Sequence, residues 1–162
     1  MAFTNSRILK FVIVCCCGVF AACNISEPTD EILFSYIDST CPQGGNVNLK
    51  RALDVDYDTA FLFGGCTNEK EIEVALGIPY LQKTFLQDSE YKLILLKNHN
   101  IVYDKNFYCK RIEFFFYNSK YHYPPNKGWY CYIWTDSIFI ASPKDKWDGV
   151  FYQLRPYGDD PT

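Results

Sequence analysis

An α+β fold is predicted for this 162-residue chain: mainly antiparallel sheet, with one or two short helices on one face. Three observations predict it. Aromatic and β-branched runs of strand length recur through the second half. Residues 57–77 carry one legible strand–turn–helix unit. Asn98-His99-Asn100 stands between two apolar runs, and such residues tolerate positive φ, which marks a hairpin.

Taken in order, residues 31–37 are apolar enough to pack, as a short strand or a helix. Cys41-Pro42-Gln43-Gly44-Gly45-Asn46 is a turn-rich loop. Leu49, Ala52 and Leu53 have a one-turn helical spacing that Asn48 can cap. Residues 57–63 read as a buried strand, and Gly64-Gly65 as the turn after it. Asn68 and Glu71 have the spacing of a capping box, with Ile72, Val74, Ala75 and Leu76 as the apolar side. Gly77 closes that helix as a left-handed cap, with Pro79 beyond. Residues 91–97 and 101–107 form the hairpin. Residues 111–117 and 129–134 supply a third and a fourth strand around a loop containing Pro124-Pro125. Residues 137–141 and 150–154 complete the sheet. The chain has no internal repeat and no low-complexity tract.

The first 23 residues have a different character. Arg7 and Lys10 lead into an apolar run at 11–20, followed by Ala21-Ala22-Cys23. Residues 11–22 as a helix reach only roughly 18 Å against a hydrocarbon core of about 30 Å, too short to span and suited to an export signal. Two cleavage readings compete: a general signal peptidase acting after Val19-Phe20-Ala21, or cleavage before Cys23 with modification of its thiol. Phe20-Ala21-Ala22-Cys23 resembles the bacterial lipoprotein signal motif at three of four positions, with Phe20 where the motif prefers Leu. The resemblance implies a signal peptide at 1–22, acyl chains on Cys23, a membrane as partner and a cell-envelope location. Asn24 stands where Asp would mark inner-membrane retention, so in a Gram-negative host the resemblance implies the outer membrane. Polar residues 24–30, with Pro28, then read as a tether from Cys23, and 31–162 as a single globular domain.

Loss of Arg7 and Lys10 with the signal leaves 14 basic against 19 acidic residues, a net of −5. That argues against nucleic acid as a partner, since its binding rests on a basic face. Of the eight cysteines, Cys15, Cys16 and Cys17 leave with the signal. Cys41, Cys66, Cys109 and Cys131 remain, an even number for an oxidising compartment, with three connectivities open. Cys109 and Cys131 lie in aromatic strand-like runs that can be neighbours, which would leave Cys41 with Cys66. No Cys-x-x-Cys spacing favours a metal. Cys66 precedes the expected helix start, where a thiolate is stabilised, although it lacks a resolving cysteine two residues on.

The segment from Tyr57-Asp58 through Gly64-Gly65-Cys66-Thr67-Asn68 to Glu71-Ile72 resembles the opening of a group of small, uncharacterised bacterial lipoproteins, and residues 93–103 and 150–151 fit the same outline. The resemblance implies fold outline and location and carries no activity.

No catalytic, cofactor or metal signature stands out. His99 falls in the hairpin turn, and His122 lacks a nucleophile motif nearby. Gly64-Gly65 before a helix admits an anion but is explained by a tight turn. Asp54, Asp56 and Asp58 alternate without EF-hand spacing and read as a solvated edge. Aromatics make up 18% of the chain. Most are expected to pack the sheet; the rival reading is that Tyr121, Tyr123, Trp129 and Trp134 form an exposed platform. The expected function is a non-enzymatic, membrane-anchored envelope protein that binds a protein or glycan partner. The alternatives are a structural, envelope-maintenance lipoprotein without a discrete ligand, or an inhibitor or immunity-type protein.

Overall fold

The computed structural model describes residues 29–108, 110–116, 121–123, 131–146 and 149–159. Among these, three helices and nine strands follow in the order α1 (Thr29–Thr40), β1 (Gly45–Asn48), α2 (Leu49–Leu53), β2 (Thr59–Phe63), α3 (Glu69–Leu76), β3 (Glu90–Lys97), β4 (Asn100–Tyr108), β5 (Ile112–Phe114), β6 (His122–Tyr123), β7 (Cys131–Trp134), β8 (Ile138–Lys146) and β9 (Gly149–Pro156). The class is α+β, dominated by antiparallel sheet, as the sequence predicts.

Local chemistry fixes several of these elements. The Asn48 side chain accepts from the Arg51 N–H and starts α2. Asn68 and Glu71 form the reciprocal capping box of α3, and Gly77 closes it at φ 67°. Asn98 and His99 both take positive φ (49° and 62°) in the two-residue turn between β3 and β4. Asp58 steadies that turn by accepting from the Asn98 N–H and from Lys97 Nζ, each at 2.8 Å.

The strands divide into two sheets. One has the order β1-β8-β9-β5 and the other β4-β3-β2-β7-β6. Every pairing is antiparallel except β5 with β9, which is parallel. After β4 the chain therefore changes sheets rather than extending the hairpin, so the single sheet expected from the strand list becomes two. The facing sides enclose the main core: Ala60, Leu62, Leu93, Leu95 and Trp134 meet Val47, Phe139, Ala141, Tyr152 and Leu154. The far side of β2 and β3 carries a second core, in which Phe61, Phe63, Ile94 and Leu96 lie beneath Ile72 and Leu76 of α3. Each fully buried side chain of this size contributes about 1.5–3 kcal/mol.

Helix α1 sends Leu33 and Ile37 into the main core and touches both sheets through β4 and β5. Its first residues belong to the fold. Thr29 and Asp30, expected in the tether, are instead buried in the folded domain. Asp30 accepts from the Arg111 N–H (3.0 Å) and the Ile112 N–H (2.9 Å), where the chain changes sheets. Burial raises its carboxyl pKa, and the two amide bonds oppose that rise. Arg111 in turn lies over the Phe34 ring at 4.2 Å and pairs with Glu31 at 3.6 Å.

Asp30→Ala removes the acceptor from two backbone amides at the sheet change, an expected loss of about 2–4 kcal/mol. Chemical denaturation of the variant against the parent chain measures it; an unchanged midpoint would show that the clamp carries no weight.

Candidate functional site

β2 ends at Phe63, and the chain leaves the sheet through Gly64-Gly65-Cys66 before α3 begins. A cleft of about 490 Å³ opens there between the two sheets. One wall comes from Leu62, residues 64–66, Asp88, Tyr91 and Tyr132; the other comes from Glu113, Phe114 and Phe115 on and just after β5. β5 lies here because it pairs with β9, and the Phe115 N–H donates to the Leu154 carbonyl at 2.8 Å.

Backbone geometry at the mouth is tightly set. A Cβ on Gly65 would stand 2.7 Å from Asp88 Cα and 2.8 Å from the carbonyl oxygens of Gln87 and Asp88. The Cys66 N–H donates to Leu86 O, and the Leu86 N–H donates to Thr67 O, at 2.9 and 3.0 Å. The turn is thereby stitched to the segment that carries Asp88. Cys66 itself has φ 66°, a left-handed conformation that costs a non-glycine residue about 1–2 kcal/mol.

The exposed Cys66 thiol donates to Asp88 Oδ1 at 3.1 Å. That hydrogen bond first, and the charge of Asp88 next, raise the thiol pKa above its ordinary value. The sequence expectation of a thiolate favoured by the helix start is therefore reversed, because a carboxylate in contact outweighs a distant helix dipole. The cleft is likewise unsuited to the anion considered for Gly64-Gly65. Among the described residues its lining holds Asp88 and Glu113 and no basic side chain. Glu113 accepts from Gln153 Nε2 at 3.3 Å, and no ion pair reaches either carboxylate among the described residues.

No family model, curated protein or solved structure matches the chain.

The sequence-predicted site residues fare unevenly. Trp134 and Tyr121 are only 2% and 5% exposed, so neither belongs to a surface platform. Trp134 packs on Phe114, Phe116 and Phe139 at 5.4–5.8 Å between ring centroids, because β7 adjoins the central strand and directs that ring between the sheets. Its indole N–H has no partner at hydrogen-bonding geometry among the described residues, where the Tyr57 hydroxyl is a polar group beside it. Trp129 and the side chains of Tyr123 and His122 lie outside the described residues, as do Cys23 and Cys109.

Among the described residues Cys41, Cys66 and Cys131 are free thiols, so Cys41 does not pair with Cys66; the expected pairing of Cys131 with Cys109 lies outside the described residues. Cys41 follows α1 beside the main core, whereas Cys66 opens into the cleft. Cys131 faces the second core, where burial pushes its thiol pKa up to about 12. His99 is an exposed turn residue. Asp54 is the left-handed cap of α2, while Asp56 and Asp58 pair with Lys50 and Lys97. Among the described residues no group of three His, Cys, Asp or Glu side chains could hold a metal ion, and no helix is long and apolar enough to cross a membrane.

Sequence reading missed Asp88, Tyr91, Glu113, Phe114, Phe115 and Tyr132 as neighbours of Cys66. The Gly64-Gly65-Cys66 step was visible, but its partners come from three other parts of the chain, brought together by the sheet change after β4.

Gly65→Ala forces backbone against backbone and should cost about 1–3 kcal/mol, read as a lower denaturation midpoint. Asp88→Asn removes the charge that holds the Cys66 proton, so the pH midpoint for alkylation of Cys66, followed by peptide mapping, should fall. An unmoved midpoint would separate the thiol from Asp88.

Proposed function

We propose that the chain is a lipid-anchored protein of the cell envelope whose folded domain binds a macromolecular partner and does no chemistry on it. The observation that carries the binding reading is the cleft between the sheets. It has the roughly 300–1,000 Å³ size of a ligand site, aromatic and acidic walls, and a thiol held in its protonated, weakly nucleophilic form. A group poised for covalent attack would need the opposite shift, with a base beside it. Half-buried aromatics suit recognition of a protein or glycan surface.

The anchoring reading rests on Phe20-Ala21-Ala22-Cys23 and on where the fold starts. α1 begins at Thr29, so five residues separate it from Cys23, a reach of at most roughly 22 Å. Acyl chains on Cys23 would keep the domain close to the bilayer, and two or more chains are needed for firm attachment. Asn24 favours the outer membrane in a Gram-negative host.

With labelled palmitate in the growth medium, Cys23→Ala should lose the label and leave the membrane fraction; undiminished labelling would refute anchoring at that thiol. In parallel, the full chain in detergent should retain one saturable partner from envelope extracts or a glycan array. Failure in both would refute the binding role.

A further inference from the structure

The cleft carries more than its size. Several acidic side chains elsewhere among the described residues are matched to cations or backbone amides. Asp56 and Asp58 pair with Lys50 and Lys97, Asp104 with Lys92, Glu31 with Arg111, and Asp30 with two backbone amides. Asp88 and Glu113 have only a thiol and a primary amide. Each keeps one carboxylate oxygen, Oδ2 of Asp88 and Oε1 of Glu113, outside those two bonds. They reach the same cavity from different sheets: Asp88 from the segment before β3, Glu113 from β5. Tyr91, Phe114, Phe115 and Tyr132 line the same cavity.

We infer that this cleft receives a guanidinium group, the side chain of an arginine presented by a protein partner. The inference rests on the binding role proposed above and names the chemistry that the partner must offer. A guanidinium is planar, permanently charged and weakly hydrated. It stacks on aromatic faces while its N–H groups reach carboxylates. The chain makes the same recognition internally, where the Arg111 guanidinium lies 4.2 Å from the Phe34 ring centroid and 3.6 Å from a Glu31 oxygen. A neutral sugar would leave both charges uncompensated, and an anion would meet two like charges. A lysine ammonium would satisfy the charge but not the flat aromatic walls.

The test uses 15N-labelled full chain in detergent, titrated with N-acetyl-arginine amide and, separately, with N-acetyl-citrulline amide, its uncharged shape analogue. The arginine probe should shift the amide resonances of Gly65, Cys66, Asp88 and Glu113 saturably, and the citrulline probe should not. Asp88→Asn and Glu113→Gln should each weaken the arginine probe about tenfold, the loss expected for one charge-assisted hydrogen bond. Added salt should weaken it further, since the cleft is open to solvent. Glu73→Gln, on the outer helix, should leave it unchanged. Equal binding of the two probes, shifts confined to other residues, or indifference to both cleft substitutions would overturn the inference. So would a partner captured equally by the parent chain and by the Asp88→Asn, Glu113→Gln double variant; that result would leave the broader binding role standing.

Discussion

Burial of β2 on both faces is the constraint from which the rest follows. Its alternate residues serve two different cores: Ala60 and Leu62 face the other sheet, while Phe61 and Phe63 stack at 6.2 Å beneath α3. β3 and β7 flank β2 directly, so both registers are set against residues 60–63. A slip of one residue would exchange the two sets, putting phenylalanine rings into space shaped for alanine and leucine. The strand therefore has one workable register, and the segment leaving its end has one starting point.

The cleft is a consequence of that fixed starting point. Gly64 and Gly65 bring the chain off β2 against the backbone of residues 87 and 88, at a distance that tolerates no Cβ on Gly65. Cys66 is left in a conformation that glycine would adopt more readily, and strain of this kind persists only where the surroundings over-determine it. Here they do, through the paired amide bonds to residues 67 and 86 and the thiol contact with Asp88. The opposite wall exists only because the chain crosses to the other sheet after β4. Asp30 clamps that crossing through the amides of Arg111 and Ile112.

Local signals were legible in the sequence, and long-range pairing was not. The capping box at Asn68 and Glu71, the Gly77 cap, the Asn48 cap and the turn at Asn98-His99 depend on residues within four positions of each other, so the chain states them outright. The split into two sheets depends on β5 meeting β9 about 40 residues later, in parallel, and composition carries no mark of it. Aromatic content misled for a related reason. A tryptophan in a strand looks the same whether its face is covered or bare, and the covering of Trp134 by Phe114, Phe116 and Phe139 is a tertiary fact. The cleft was half visible as a Gly-Gly-Cys step. Its acidic character was not, because Asp88 and Glu113 are 25 residues apart and lie on different walls.

The position of Asp88 is also governed from the opposite side of the sheet. Lys92 and Asp104, both nearly buried, form an ion pair across β3 and β4, and the Tyr80 hydroxyl donates to the second Asp104 oxygen at 2.9 Å. A buried pair of this kind adds little net stability over an apolar replacement, yet it is costly to break and admits few geometries. Tyr80 comes from the segment between α3 and β3, so the pair fixes that segment to the sheet eight residues before Asp88. Leu86, buried in the second core and bonded to residues 66 and 67, carries the constraint onward. The cleft's charge is thus placed by a polar cluster that faces away from it, through a segment whose two ends are both held.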